Sequence, residues 1–565
     1  MGSTRSAGRR SRMRTLLFAL AALMSAGNPV AAQSSLPLKY SGKPTQPAIT
    51  AADAMTRLYI FADDSMMGRK AGEEGGLKGT AYIEREVRRL GLVPAGDNGT
   101  FFQAVPLYNR SFDQGSTLSA GDSPLVGGRD YYPLSIDGTP RSVNGAQVIY
   151  AGSTLDATTL IPSSQAAGRV VLVTGPTPGI LRRYPDAVAF IVIPAEQNLP
   201  QLRRLMTNVS TLMREPADTV MRPITLAVPA ASIASFLGVP LANARPGTIG
   251  KTLSGEVRYK MVDAPARNVV AIIRGRDSIL KREYVALGAH NDHLGTRSGG
   301  PLDTDSVRAF NEIAERIYVA RTHELPDFPG TGLSAFERAS LKVNVDSLRR
   351  IRPARLDSVY NGADDDGSGS IGLLEIAEKF ATDRIKPKRS LLFVWHTGEE
   401  LGLFGSEFFT DHPTVPRDSI VGQLNIDMIG RGEASDVPGG NPGYLQVIGS
   451  RRLSTELGDL LEQVNTIGKH GFRFDYAFDA AGHPEQYYCR SDHYEYARYG
   501  IPIVFLSTGS HVDYHQLTDE PQYINYSHLA RVANLLADLA QHVANLDHRL
   551  VVDHPKPDPT AECVQ

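Results

Sequence analysis

S-L-L-F-V-W-H-T-G-E-E, residues 390–400, is the stretch on which the reading of this chain turns. Its first part, Ser390–Trp395, is a short apolar run that reads as a strand. Gly398 ends it, and two adjacent carboxylates, Glu399 and Glu400, stand just beyond. In open α/β sheets ligand sites lie beyond the carboxyl ends of the strands. The stretch therefore places acidic side chains where such a sheet does its chemistry.

Working outward, four further runs read as strands: Asn268–Ile273, Tyr284–Leu287, Gln423–Ile426 and Ile501–Leu506. Helices are predicted over Ser370–Ala381, Ser454–Val464 and His528–Leu546. In the last of these Leu529, Val532, Leu535, Leu536, Leu539 and Val543 share one apolar face. Alternation of this kind predicts an α/β fold, a mixed and mainly parallel sheet with helices on both faces in three layers. Upstream, Ala51–Phe61 and Gly79–Leu90 read as helices, the second stopped by Gly91.

Residues 141–254 have a different texture. Short β-type runs at Ala146–Tyr150, Val170–Thr174, Val188–Ile193 and Ile224–Val228 are separated by Gly, Pro and Ser, with Leu199–Met213 reading as a helix. This predicts an inserted smaller β-rich module with its own core. The expected organisation is a leader over 1–32, an N-terminal segment over 33–140 packing on the main domain, the module over 141–254, the main domain over 255–548 and a flexible Pro-rich tail over 549–565. Within the main domain, residues 297–360 form a polar insertion with two predicted helices.

The bulk numbers bound the function. A chain of 565 residues is too long for one ordinary domain. Lys+Arg is 59 and Asp+Glu is 61, a formal net charge of −2. No global field points to nucleic acid or an anionic membrane. The local run Arg349, Arg350, Arg352 and Arg355 reads as a solvated helix face or loop. At the N-terminus Arg9, Arg10, Arg12 and Arg14 precede the apolar run Leu16–Met24, and Val30 and Ala32 suit cleavage after Ala32. This predicts an exported protein, periplasmic or secreted, with no membrane span. The cysteines are Cys489 and Cys563, too few for a four-thiolate zinc site. Export permits a disulfide between them, and a free state is equally compatible.

The chemistry lies at the strand ends. His290 follows Tyr284–Leu287 in A-L-G-A-H-N-D-H, Asp365 stands in N-G-A-D-D-D-G-S-G, and Asp427 ends Gln423–Ile426 in L-N-I-D-M-I-G. His515 stands in D-Y-H-Q-L-T-D, a short loop after the last strand. Singly, each is also what a hydrogen-bonded core His, a helix cap or a solvated turn looks like. Together, two imidazoles and three carboxylates can hold two zinc ions, and one Glu of the pair is left over. A spare Glu beside a zinc-bound water is what metal-assisted hydrolysis needs.

The same motifs, over about residues 260–545, resemble the secreted di-zinc aminopeptidases, including the Vibrio and Streptomyces leucine aminopeptidases and the peptidase domain of glutamate carboxypeptidase II. Leu58–Leu107, with A-D-D-S-M-M-G-R, resembles the N-terminal part of bacterial members, and the 141–254 module resembles the protease-associated domain often inserted in them. The resemblance implies a zinc-dependent hydrolase acting on a peptide or protein substrate, with two zinc ions per chain. Asp365, rather than Asp364 or Asp366, would bridge them. One zinc would take His290 and Asp427, the other Glu400 and His515. Glu399 would be the general base on the zinc-bridging hydroxide, Tyr514 would stabilise the transition state, and Asp292 and Asp492 would support the ligands.

His293, His396, His493 and His511 also lie near the motifs, open between a role at the site and structural hydrogen bonding. Asp519 is open between supporting His515 and capping a turn. Removal of N-terminal residues is the leading expectation. The alternatives are a carboxypeptidase, a one-zinc glutaminyl cyclase of the same fold, and a non-catalytic receptor-like binding protein. The insertion at 297–360 falls between His290 and Asp365 and is compatible with a lid, a dimer contact or a surface excursion. Nothing in the sequence sets an oligomeric state.

Overall fold

The computed structural model describes residues 36–134, 141–176, 179–214, 223–322, 326, 330–434, 436–437 and 439–565. The leader expected over 1–32 lies outside the described residues. The chain divides into two compact units, Met1–Val105 with Pro265–Gln565, and Pro106–Ala264.

The first unit contains helices α1 (Ala51–Phe61) and α2 (Glu74–Arg89), then strands β1 (Tyr259–Ile273, of which the part from Pro265 belongs here) and β2 (Tyr284–His290). Next come α3 (Thr304–Thr322), α4 (Gly369–Thr382), β3 (Ser390–His396), α5 (Phe404–Asp411) and β4 (Ile420–Ile426). β5 (Tyr444–Ile448), α6 (Thr455–Ile467), β6 (Arg473–Asp475), α7 (His493–Ala497), β7 (Ile503–Ser507) and α8 (Tyr526–Asn545) follow. The strands lie in the order β6-β5-β7-β4-β2-β3-β1. The central run β7-β4-β2-β3 is parallel, while β1 on β3 and β5 on β7 are antiparallel. The predicted mixed, mainly parallel sheet is therefore present.

Alternation along the strands explains the layers, because successive side chains point to opposite faces. Val285, Leu287, Phe393 and Trp395 pack into one buried core with residues of α1, α4, α6 and α8. Ala286, Leu392 and Val394 pack into another, with Phe409 of α5 and Tyr496 of α7. Trp395 satisfies its indole by donating to the Ser370 carbonyl of α4 (3.1 Å). The N-terminal helices belong to the same body: buried Arg57 of α1 pairs with Glu375 and Glu378 of α4.

The second unit is wider than the module expected over 141–254. Thr117–Ala120 pairs with Leu253–Glu256, which pairs in turn with Arg141–Ser153, so residues upstream of 141 belong to its sheet. Among the described residues that sheet has 8 strands, and its centre (141–153, 170–174, 189–192, 224–227) is parallel. The helix predicted over Leu199–Met213 stops at Thr207. Asn208 turns extended, and Ser210–Met213 is a strand paired with Leu107–Arg110. A β-branched and apolar S-T-L-M run satisfies its backbone on that neighbour rather than in a further helical turn.

Two other expectations are corrected. Arg349, Arg352 and Arg355 are not a solvated face. They converge on Asp303 and Asp305 at the start of α3, with Arg349 Nη1–Asp305 Oδ2 at 2.9 Å and Arg352 Nη2–Asp305 Oδ1 at 2.7 Å. The tail is not free either: Cys563 is bonded to Cys489, and Gln565 donates to the carbonyls of Phe478 (2.7 Å) and Ala480 (3.0 Å). The sequence separation of 74 closes a long loop, so the paired change Cys489→Ser, Cys563→Ser is expected to lower unfolding free energy by about 2–4 kcal/mol. An unchanged urea midpoint would show that the tail is held without the bond.

Candidate metal centre

The strand register brings the acidic and imidazole side chains together. β2 and β3 end level, His290 opposite His396, and pairing of Gly288 with Asn425 carries Asp427 level with His290. The T-G-E-E turn follows β3. A-D-D-D-G-S, between an extended segment and α4, enters from the side.

The three consecutive aspartates do different things. Asp364 Oδ1 accepts from Gly430 N–H (2.7 Å), and its other oxygen lies 3.1 Å from His511 Nε2. Asp366 fastens strand ends to a helix: it accepts from the N–H groups of His290 (3.0 Å), Gly369 (2.8 Å) and Met428 (3.2 Å). Gly369 is required at the top of α4, since a Cβ there would stand 2.2 Å from Asp366 Oδ1 and 2.6 Å from the Ile426 carbonyl. Asp365 faces the centre. The Asp365–Asp366 peptide is cis.

Two groups of potential metal ligands share Asp365. The first is His290, Asp365 and Asp427; the second is His293, Asp365 and Glu400. His290 Nε2 is buried and makes no hydrogen bond among the described residues. Even so, Asp365 Oδ1 lies 3.2 Å from it, Asp427 Oδ1 3.6 Å and Glu399 Oε2 3.9 Å. An unsatisfied buried ring nitrogen facing three carboxylates is costly unless a cation joins them. Imidazole and carboxylate donors are the set zinc uses. In the second group His293 Nδ1 is 2.6 Å from Glu400 Oε1. His515, expected there, also arrives: its Nε2 is 2.9 Å from Glu400 Oε2 and 3.1 Å from Asp365 Oδ2. His293, open at the level of sequence, is thus part of this cluster.

Glu399 and Glu400 are adjacent in sequence and opposite in behaviour. Burial, opposed by His290 and reinforced by Asp427 and Glu400, raises the Glu399 carboxyl well above the usual range. Glu400 is held below it: burial and Asp365 oppose this, but His293 and His515 outweigh them. Burial also opposes charge on His515, yet its bonds to Asp365 and Glu400 push it up to about 10. Tyr514 stacks on His515 with ring centroids 3.9 Å apart.

The supporting residues are partly those expected. Asp292 accepts from Glu399 N–H (3.2 Å), while its carboxylate is 3.7 Å from His290 Nδ1, farther than its own carbonyl at 3.2 Å. Asp492 lies 3.2 Å from His396 Nδ1, and its neighbour Ser491 donates to Asp427 Oδ2 (2.9 Å). Asp519 supports the bridging segment, not His515: it accepts from the N–H groups of Asp364 and Asp365. His493 stacks on Phe505 in the core, and burial lowers it to about 3.

Arg69 was not anticipated. Wholly buried, it donates to the carbonyls of Phe61 (3.0 Å), Asn291 (3.1 Å), Asn361 (2.6 Å) and Gly362 (2.8 Å). One rigid guanidinium fork thereby ties the His290 loop to the aspartate loop. The signal was present in M-M-G-R, but no local pattern distinguishes a buried arginine that binds carbonyls from a surface one.

Part of the chain is similar to known proteins. Residues 345–540 match the model of Peptidase family M28. Leupeptin-inactivating enzyme 1 of Streptomyces exfoliatus is 40% identical over 94 residues, 16% of this chain and 20% of that protein. Leucine aminopeptidase 1 of Uncinocarpus reesii is 27% identical over 210 residues, 35% of this chain and 49% of that protein. The chain thus spans at most about half the length of these relatives. A solved structure, the aminopeptidase from Aneurinibacillus sp. strain AM-1, aligns over 90% of this chain and 97% of its own at 15% identity, with a TM-score of 0.45. The match over residues 345–540 contains the motifs of Asp365, Glu399–Glu400, Asp427 and His515, and in that segment the chain is similar to Peptidase family M28.

Proposed function

We propose that this chain is an exported zinc exopeptidase that removes N-terminal residues from peptides. The observation that carries the reading is the sharing of Asp365 between two ligand groups beside a Glu399 that belongs to neither. His290 and Asp427 would hold one zinc ion with Asp365; Glu400 and His515 would hold the other, with His293 fixing the Glu400 carboxylate. Bound zinc supplies Lewis acidity for the scissile carbonyl and brings the pKa of water toward about 7.

The remaining steps belong to the chain. Glu399, its carboxyl raised by burial, takes the proton of the attacking water and hands it to the leaving amine. Asp292 holds the Glu399 backbone so that the carboxylate faces the site. Burial raises the Tyr514 phenol well above its ordinary pKa, so it keeps its proton and donates it in a hydrogen bond to the developing oxyanion. Export rests on the leader read in the sequence; no described helix is long and apolar enough to cross a membrane. In this reading the Pro106–Ala264 unit would be the protease-associated-like module.

The test is a panel of aminoacyl substrates with free or acetylated N-termini, alongside peptides with free or blocked C-termini, assayed with zinc counted per chain. Hydrolysis should require a free N-terminus, vanish with a chelator and return with zinc at two ions per chain. Cleavage that depends on a free C-terminus would replace the reading with a carboxypeptidase. Activity indifferent to chelation would remove the metal from it.

A further inference from the structure

The insertion between His290 and Asp365 is gripped at both ends of its path. At its neck Gly295 and Thr296 pair with Tyr360 and Val359, and Leu302 and Asp303 pair with Asp357 and Leu356. Just inside, three arginines from its return limb close on Asp303 and Asp305 at the start of α3. These contacts fix where α3 begins and in which direction it runs.

α3 then meets the loop that carries Tyr514 and His515. Arg308 pairs with the fully buried Asp513 carboxylate, two residues before His515. Its guanidinium also lies over the Tyr523 ring, 3.9 Å from the centroid. One turn on, Asn311 Nδ2 donates to the Val512 carbonyl (3.2 Å). Arg355, from the return limb, reaches Glu520 (3.4 Å) and the Tyr523 hydroxyl (3.0 Å). From the main domain, Arg431 Nη2 holds the same Asp513 oxygen at 2.9 Å. The loop between carries a left-handed residue: His515 has φ +57°, a conformation uncommon for non-glycine residues although histidine adopts it more readily than most.

We propose that the insertion is a positioning device for the metal centre: through Arg308 and Asn311, α3 fixes the 511–520 loop so that His515 reaches Glu400 and Asp365. The proposal rests on the functional reading above in treating His515 as a metal ligand. A bidentate-capable cation on one side and Arg431 on the other leave Asp513 no freedom to move, and the left-handed turn at His515 inherits that constraint. The insertion then acts on zinc binding and on turnover, not on which peptides enter.

The experiment compares Arg308→Met, Arg308→Lys and Asn311→Ala in the full chain, reading zinc affinity by competition with a chromogenic chelator, together with kcat, KM and thermal unfolding. Arg308→Met should weaken one of the two zinc sites by about 10- to 100-fold, the usual cost of losing an outer support of a ligand. The kcat should fall with it while KM stays within about twofold, since no substrate contact is removed. Arg308→Lys should recover part of both losses, and Asn311→Ala should show the same pattern more weakly. Zinc affinity at the parent value in Arg308→Met, or a change confined to KM, overturns the proposal, the latter in favour of a lid. If Arg308→Met does not fold, the lysine and Asn311→Ala variants decide on the same readouts. Zinc affinity is read without substrate, so a parent that binds two zinc ions but cleaves no aminoacyl peptide would overturn the aminopeptidase reading and leave this test in force.

Discussion

Glu399→Gln is expected to lower kcat by about 10²- to 10⁴-fold, the range a positioned general base contributes, with zinc content and melting temperature unchanged. Glutamine keeps the shape of the side chain but cannot accept and return a proton. Metal should stay because Glu399 stands outside both ligand groups, its nearest approach to a ligand nitrogen being 3.9 Å to His290. The fold should stay because the anchor at this position is the backbone, Glu399 N–H to Asp292, which the substitution does not touch. Metal analysis, a thermal melt and kcat on one aminoacyl substrate complete the check. Full activity in a zinc-loaded variant would remove Glu399 from the chemistry, and loss of zinc would make it a ligand. The neighbouring change Glu400→Gln should give the opposite pattern, with metal lost first.

Asp365→Asn is the second large effect. Asp365 belongs to both groups, so its neutralisation should weaken both sites, by more than the roughly 10- to 100-fold that follows loss of an outer support. Hydrolysis at limiting zinc should become undetectable. In zinc-free protein the Asn variant should melt somewhat below the parent: burial opposes charge on Asp365, but His290, His515 and His293 hold its carboxyl well below the usual range, and that stabilisation goes with the charge. The response to zinc separates this from misfolding. Added zinc should raise the parent's melting temperature and leave the variant's nearly still, as expected when a ligand binds only the native state. Asp366→Asn is the control. Its amide keeps one oxygen, so it can still accept from Gly369 and Met428 or from His290 but not from all three N–H groups, and its NH2 is turned on the rest; it should destabilise the fold while zinc still binds the fraction that folds. If Asp366→Asn lost zinc and Asp365→Asn kept it, the order of the aspartates would have to be reassigned.

Much of this site was legible before any tertiary structure. His290, Glu399 and Asp427 each follow an apolar run, and a parallel sheet aligns such ends without further instruction. The supporting residues were less legible. Asp519 lies four residues from His515, but a side chain that near a ligand in sequence can leave the loop in any direction, and Asp492 stands in a motif with no proposed ligand beside it. Asp492 went to His396 and Asp519 to the amides of the aspartate loop. The arginines at 349–355 were misread likewise: a basic run looks solvated until its acidic partners, some 44–52 residues away, are placed beside it.

What the sequence determined by itself was local and periodic: which runs become strands, that helices cover both faces of the sheet, and which residue types stand at the strand ends. Those follow from alternation and spacing, which a linear chain carries in full. What only the tertiary structure decided was convergence. His293 joins Glu400 across 107 residues, Arg69 joins loops more than 220 residues away, and Arg308 reaches Asp513 across 205. Hydrogen bonds and ion pairs are directional and act over a few ångströms, so their partners are set by the packed backbone and not by the order of residues along it.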